Sequence, residues 1–354
     1  MSLEFYNGKK VFVTGHTGFK GSWLSLWLMQ LGATVKGYAL EPYTPNDHFY
    51  VCGLQNEMES QFADVRDLKA LKASLTDFQP DVVFHLAAQP LVRLSYSQPI
   101  ETFGTNVMGT CHIMKLVSEL DSVQSFVNVT SDKCYENKEL GRAFVETDPM
   151  GGRDPYSASK GCSELVFHSF YESFLKEKNM IASSGRAGNV IGGGDWCKDR
   201  IMTDAFSSIR DKNSLKVRSP HAIRPWQHVL EPLSGYLVLG TEKLRDLSGQ
   251  GWNFGPKEDS HVPVSTLIQT LFDYYGEGIW EDVSEEKHLH EAVKLHLNIE
   301  KAETQLGWKP ALNLQETIGW TARWYKSFFN EGFSAAKNIS LEQIDEYTKR
   351  FQQN

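Results

Sequence analysis

The segment Val11-Phe12-Val13-Thr14-Gly15-His16-Thr17-Gly18-Phe19-Lys20-Gly21 restricts this chain more than any other. A β-branched apolar run ends there, a helical pattern begins, and three glycines spaced G-x-x-G-x-x-G occupy the turn between them. Glycines at such a turn permit a tight bend, let the backbone approach a pyrophosphate and allow the helix to pack closely on the strand. The helix that follows offers unpaired N–H groups and the positive end of its dipole. A glycine-rich βα turn can exist without a ligand. What points to a dinucleotide is the position of this one, after the first strand of an α/β chain.

From Lys10 onward, short β-branched runs alternate with longer stretches of helical period, the signature of βαβ units and a parallel sheet. The pattern predicts strands at Val11–Thr14, Thr34–Ala39, Met58–Ala63, Asp81–Leu86, Ser125–Thr130 and Met180–Arg186. Helices are predicted at Phe19–Leu31, Leu68–Thr76, Gln98–Leu120 and Pro155–Lys178. After Arg186 the alternation stops. A Gly-rich loop leads to a short strand at Trp252–Phe254, helices at Val264–Tyr275, Asn298–Leu306 and Leu314–Phe329, and a polar terminal helix over Ser340–Asn354. The expectation is an α/β chain: a Rossmann-type doubly wound parallel sheet over residues 1–186, with segments near 225–256 returning to it, and a smaller mixed α/β substrate domain over 187–354.

Composition excludes several classes. The 354 residues are 41% apolar and 23% charged, as in a globular protein, and the net charge of −8 is dispersed with no basic cluster suited to nucleic acid. Five cysteines form no C-x-x-C pair, so neither a disulfide framework nor a zinc site is written here. No apolar run is long enough to span a bilayer and the start has no leader pattern, which leaves a cytoplasmic location as the expectation. His288, His290 and His296 lie on a polar stretch without a carboxylate pattern and are read as surface residues, with no metal expected.

Asp154-Pro155 reads as a helix start, an N-cap residue followed by a proline at the first helical position. Tyr156 and Lys160 then stand four apart on one helical face. A phenol of ordinary pKa near ~10 is a poor base at neutral pH, and a neighbouring ammonium draws that pKa down. At the end of the fifth predicted strand stand Thr130, Asp132 and Lys133, at the carboxyl edge where open α/β sheets bind ligands. The threonine can hydrogen-bond a hydroxyl and the aspartic acid can pass a proton. The same three residues would also serve as an ordinary turn with a helix cap.

The glycine spacing and the Tyr-x-x-x-Lys pair together resemble the extended short-chain dehydrogenase/reductase superfamily. The resemblance implies a bound NAD, held by Gly15, Thr17, Gly18, Phe19, Lys20 and Gly21, by Asp64 and Val65 at the adenine, by Leu86, Ala87 and Ala88, and by Tyr156 and Lys160. Members commonly close the second strand with an acidic residue; here it ends Gly37-Tyr38-Ala39-Leu40, with Glu41 one step later. No arginine stands there to welcome a 2'-phosphate, so NAD is expected over NADP. Read without the resemblance, Asp64 or Asp67 could merely cap the next helix.

Thr130-Ser131-Asp132-Lys133-Cys134-Tyr135, Gln89-Pro90-Leu91-Val92-Arg93 and Arg224-Pro225-Trp226-Gln227-His228-Val229 are similar to the sugar-nucleotide 4,6-dehydratase branch, and the lysine in place of its usual glutamate resembles the CDP-glucose type. Epimerases of the superfamily usually show small residues instead. The resemblance implies a lyase that turns CDP-glucose into a 4-keto-6-deoxy sugar. Tyr156 takes the 4-hydroxyl proton as hydride leaves C4, Thr130 orients that hydroxyl, Lys160 supports the phenolate and Asp132 protonates the departing 6-hydroxyl. Lys133 is either the C5 base, with its pKa lowered, or a charged stabiliser of the enolate. Gln89, Arg93, Asn189 and Arg224 are expected at the substrate, the last two near its phosphates. Apolar positions beyond one buried stripe in Gln98–Leu120 and Pro155–Lys178 point to a homodimer or homotetramer.

Overall fold

The computed structural model describes residues 3–138, 141–197, 200–284 and 296–353. Seven strands form one sheet: β1 (Lys10–Thr14), β2 (Thr34–Ala39), β3 (Glu59–Phe62), β4 (Val82–His85), β5 (Ser125–Val129), β6 (Ile181–Ala187) and β7 (Gln250–Phe254). Their order is β7-β6-β5-β4-β1-β2-β3 and every pairing is parallel. Helices cover both faces, so β4, β5 and β6 are buried along their whole length and read as continuous rather than alternating runs. Between β1 and β4 the strand order reverses, which opens a crevice at the carboxyl ends of the strands.

Helix α1 (Phe19–Gln30) follows β1 and is buried on nearly all sides. Helix α2 (Leu68–Phe78) is capped by Asp67, whose Oδ1 accepts from the Ala70 amide at 3.0 Å. The long helix predicted over Gln98–Leu120 is interrupted: Pro99–Phe103 passes through a π-helical stretch, Gly104–Met108, into α3 (Gly109–Glu119). A Cβ at Gly109 would lie 2.8 Å from the Val65 side chain, so glycine lets this helix close on the turn after β3. Helix α4 (Pro155–Phe170) also ends in a π-helical stretch, Tyr171–Leu175. Asp154 caps it through the Ser157 amide at 2.9 Å.

Beyond β6 the strands are too short for any alternation to show in a sequence. Val190–Ile191 pairs with Gln227–His228, Ile223–Pro225 with His261–Pro263, and Leu215–Val217 with Trp280–Asp282. The stretch predicted as a helix at Asn298–Leu306 contains a π-helical turn, Ala302–Leu306. The terminal helix starts at Phe333, earlier than Ser340, because Gly332 closes the preceding helix, Leu314–Glu331, and one buried stripe of Ala336, Ile339, Ile344, Tyr347 and Phe351 continues to Gln353. That stripe packs on the core: Tyr347 meets the Trp27 ring of α1 at 5.6 Å and donates to buried Glu231 at 2.6 Å. One apolar cluster runs from one sheet face through α1 into these C-terminal helices, and a second fills the space under α2, α3 and α4.

Candidate active site

Two of the three loop glycines are demanded by the turn itself. Gly15 has φ +78°, and a Cβ there would lie 2.7 Å from the Ala87 backbone nitrogen; at Gly21 it would lie 2.0 Å from the Gly15 carbonyl oxygen. Gly18 differs. Its φ is an ordinary −73°, and a Cβ would meet nothing closer than that carbonyl, at 3.4 Å. No side chain caps α1, so its first-turn N–H groups open on solvent space beside a glycine the protein does not itself require. That is the cradle a pyrophosphate needs.

The space is a cleft of about 1220 Å³ at the carboxyl edge of β1, β4 and β5. Gly15, Thr17, Gly18, Phe19, Lys20 and Gly21 form one wall, and Asp64, Val65, Leu86, Ala87 and Ala88 continue it. Thr130, Asp132, Lys133, Tyr156 and Lys160, from the ends of β5 and the helix after it, line the same cleft, as do Arg93, Asn189 and Arg224. Gln89 is not brought there. Its side-chain amide bonds Leu91 O at 3.1 Å and Thr102 Oγ1 at 2.8 Å and accepts from the Leu91 amide at 2.6 Å, so it holds the loop that carries Arg93.

The two carboxylates left open at the third strand separate cleanly. Asp67 is the helix cap, whereas Asp64 lines the cleft and is gripped by the Arg66 guanidinium at 2.5–3.0 Å, which holds its carboxyl below the usual range. Past the end of β2, Thr17 donates to the Leu40 carbonyl at 2.8 Å and Glu41 reaches the cleft wall. Beneath the loop, Thr14 Oγ1 and His85 Nδ1 lie 2.7 Å apart, and burial keeps His85 neutral down to about 3.

The ends of β5 and α4 deliver the candidate catalytic residues to the cleft. Tyr156 and Lys160 are both buried, and the Lys160 ammonium donates to the Val129 carbonyl at 3.4 Å. Burial draws Lys160 down to about 8, against the upward pull of Glu164. Tyr156 is pushed up to about 12, because burial outweighs its hydrogen bond with Ser131. The lowered phenol expected from the sequence is therefore not found; desolvation, with Asp132, outweighs Ser131 and the Arg200 charge. Ser131 also donates to Asp132 at 2.9 Å, and Asp132 lies against Gly188, where a Cβ would come within 3.0 Å of its Oδ2.

Several groups here were not singled out from the sequence. Glu164, one helical turn after Lys160, accepts the Thr130 hydroxyl, Ser184 Oγ at 2.5 Å and Arg186 at 2.8 Å. Its spacing from Lys160 was the available signal, as was a lone arginine inside the predicted strand Met180–Arg186. Arg200 lines the cleft 3.6 Å from Asp195. Lys20 lies 5.9 Å over the Tyr236 ring, and burial, with Arg200 and Lys160, draws it to about 7 despite Asp132. His288 and His290 fall outside the described residues, and His296 meets the His261 ring at 5.3 Å.

Comparison with known proteins agrees with this geometry. The family model for GDP-mannose 4,6 dehydratase matches residues 12–321. A CDP-glucose 4,6-dehydratase of Salmonella typhimurium is 48% identical over 332 residues, covering 92% of either chain. A dTDP-glucose 4,6-dehydratase from Bacillus anthracis, solved with NAD, superposes with a TM-score of 0.76 at 20% identity, covering 92% of this chain and 98% of that one. A UDP-glucose 4-epimerase from Thermotoga maritima gives 0.77 at 18%, covering 91% and 100%. At such identities the two structures speak for the fold alone, and both catalytic outcomes occur on it. The extent of the family match and the 48% relative decide the matter: the chain belongs to the GDP-mannose 4,6 dehydratase family.

Proposed function

We propose that this chain is an NAD-dependent lyase that converts CDP-glucose to CDP-4-keto-6-deoxyglucose and water. The observation that carries the reading is that Thr130, Asp132, Lys133, Tyr156 and Lys160 line the same cleft as the glycine cradle. Gly18, the open N-terminus of α1, Asp64 and Ala87 would hold the dinucleotide. When bound, NAD would supply the hydride acceptor for C4 and, once reduced, the hydride donor for C6, and its oxidised ring would carry a positive charge that favours the phenolate. Tyr156 then moves the 4-hydroxyl proton, with Lys160 opposing the cost of a buried negative charge. Asp132, reached through Ser131, delivers a proton to the departing 6-hydroxyl. Lys133, which follows Asp132 on the cleft, is the candidate C5 base; a Lys133 that keeps its charge would instead steady the enolate and leave base duty to Tyr156 or a water. Arg224 and Asn189 would meet the substrate phosphates, with Arg93 beside them. On this reading the sheet holds the dinucleotide, and the segments after residue 187, less β7, hold the sugar nucleotide.

Two coarser readings accompany it. Exposed Ile100, Phe103, Met108, Leu165 and Phe174 lie on the segments leading into and out of α3 and α4, a surface suited to a second copy of this chain. Five free thiols, and no helix among the described residues long and apolar enough to cross a membrane, fit a reducing cytoplasm. The deciding experiment incubates the protein and NAD with CDP-, dTDP-, UDP- and GDP-glucose. Loss of 18 Da as water, about one per substrate, is expected for the CDP sugar; a product of unchanged mass rejects the dehydratase in favour of an epimerase. Retained washout of C5 deuterium in Lys133→Met would remove Lys133 from the base role.

A further inference from the structure

Behind the catalytic wall lies a buried polar cluster that no step above uses. Glu164 and Arg186 form an ion pair at 2.8 Å with both side chains almost fully buried. Arg186 also donates to Tyr135 Oη at 2.7 Å, and Tyr135 donates to Asn253 Oδ1 at 2.7 Å, which ties the pair to β7. Burial pushes the Glu164 carboxyl up, but the Arg186 charge and the hydrogen bonds from Arg186, Ser184 and Thr130 outweigh it and hold it below its usual value. An ionised carboxylate has no proton to give, so the Thr130 and Ser184 hydroxyls must both donate to it.

The direction of that bond has a consequence at the cleft. A threonine hydroxyl has one proton, and here it is committed inward to Glu164. Only the oxygen lone pairs of Thr130 remain for a ligand. We propose that Glu164 is the positioning residue of this site: it fixes the Thr130 oxygen as an acceptor for a sugar hydroxyl other than the one whose proton Tyr156 takes and, one turn from Lys160, sustains that ammonium's charge. An acceptor at Thr130 selects a ligand that donates there, and leaves the proton of the reacting 4-hydroxyl to Tyr156. This inference rests on the proposed function for its substrate and on geometry alone for its partners.

The groups facing Lys160 are Glu164 on its own helix, Cys134 after β5, His85 at the end of β4 and Lys20 from α1. Among these Glu164 supplies the anion. Removing its charge while keeping its reach, and keeping its charge while shortening its reach, test the two halves separately. In Glu164→Gln, the Lys160 ammonium, followed by 15N NMR with Lys160→Met for assignment, is expected to titrate about 1 pH unit lower or more. In Glu164→Asp, which keeps Arg186 paired, that titration stays in place while kcat falls about 10- to 100-fold through misplacement of Thr130, with dinucleotide affinity unchanged. An unmoved Lys160 titration in Glu164→Gln, or full turnover in Glu164→Asp, overturns the proposal. Should Glu164→Gln fail to fold, Glu164→Asp decides on its own. Should the wild type turn over no nucleotide sugar, the functional reading fails while the titration still decides the role of Glu164.

Discussion

The wall that carries Thr130, Asp132, Tyr156 and Lys160 is buried and braced from behind by an ion pair, whereas the wall that carries Asn189, Arg218 and Arg224 hangs on strands of two or three residues. The first is finished before a ligand arrives: its polar atoms are already bonded to Glu164, Ser131 and Val129. The second presents half-exposed guanidinium and amide groups on loops. A site that must move a proton needs fixed donors in a dry place, because reorganisation at the moment of reaction costs rate. A site that must admit and release a nucleotide sugar needs reach more than rigidity. The comparison predicts that changes on the first wall act on kcat and changes on the second act on KM.

The largest effect is expected from Tyr156→Phe. Loss of the phenol proposed to take the 4-hydroxyl proton should lower kcat about 10³-fold while substrate affinity by calorimetry stays within about threefold. A variant that keeps more than a tenth of wild-type turnover would move the proton-transfer role elsewhere and dissolve the contrast between the walls.

Next in size is a pair of glycine replacements. Gly15→Ala meets a positive φ and the Ala87 backbone at 2.7 Å, and should destabilise the fold by about 3 kcal/mol in urea unfolding. Gly18→Ala meets nothing under 3.4 Å and should leave stability within about 0.5 kcal/mol while weakening NAD binding. Equal destabilisation by both would mean that all three glycines serve the turn alone.

Legibility followed the same division. The parallel sheet was readable because βαβ units repeat two periods over 10–186, and residues at strand ends fall at the crevice by geometry. The short strands at 190–191 and 223–228 were not, since two or three residues carry no period. Gln89 was read as a substrate contact from the company it keeps, but an amide can satisfy itself locally, and this one does, on Leu91 and Thr102. Tyr156 was expected to be acidic from its lysine; burial, which no spacing reveals, reversed the direction. Glu164 and Arg186 stayed hidden because their partners sit on different elements, joined only in the fold.

On the looser wall, Arg224→Ala should raise KM for the nucleotide sugar about 10- to 100-fold, the worth of one charge-assisted hydrogen bond to phosphate, with kcat within about threefold. Kinetics at saturating NAD give both constants. A kcat loss larger than the KM change would show that the second wall also positions the sugar for chemistry.

The smallest effect per residue asks whether the two regions stand or fall together. Burial lowers His16 to about 4 and His48, His85 and His228 to about 3, with Lys160 adding to the effect at His85. In the unfolded chain each would titrate near ~6.5, so below that pH the unfolded state binds protons that the folded state refuses. Stability is therefore complete above about 6.5 and is lost as pH falls toward the folded values, at about 1 kcal/mol for each histidine between pH 7 and 5.5. His16 and His85 sit under the dinucleotide side, while His48 and His228 flank Trp23 in the seam between α1 and the C-terminal helices. A single apolar cluster joins that seam to the sheet, so urea unfolding at pH 5.5 should show one transition, shifted to lower denaturant, by both tryptophan fluorescence and circular dichroism. Two separated transitions would mean that the braced wall and the loop-borne wall belong to units that melt independently, and the kcat and KM division would then reflect separate bodies rather than one core carrying two kinds of surface.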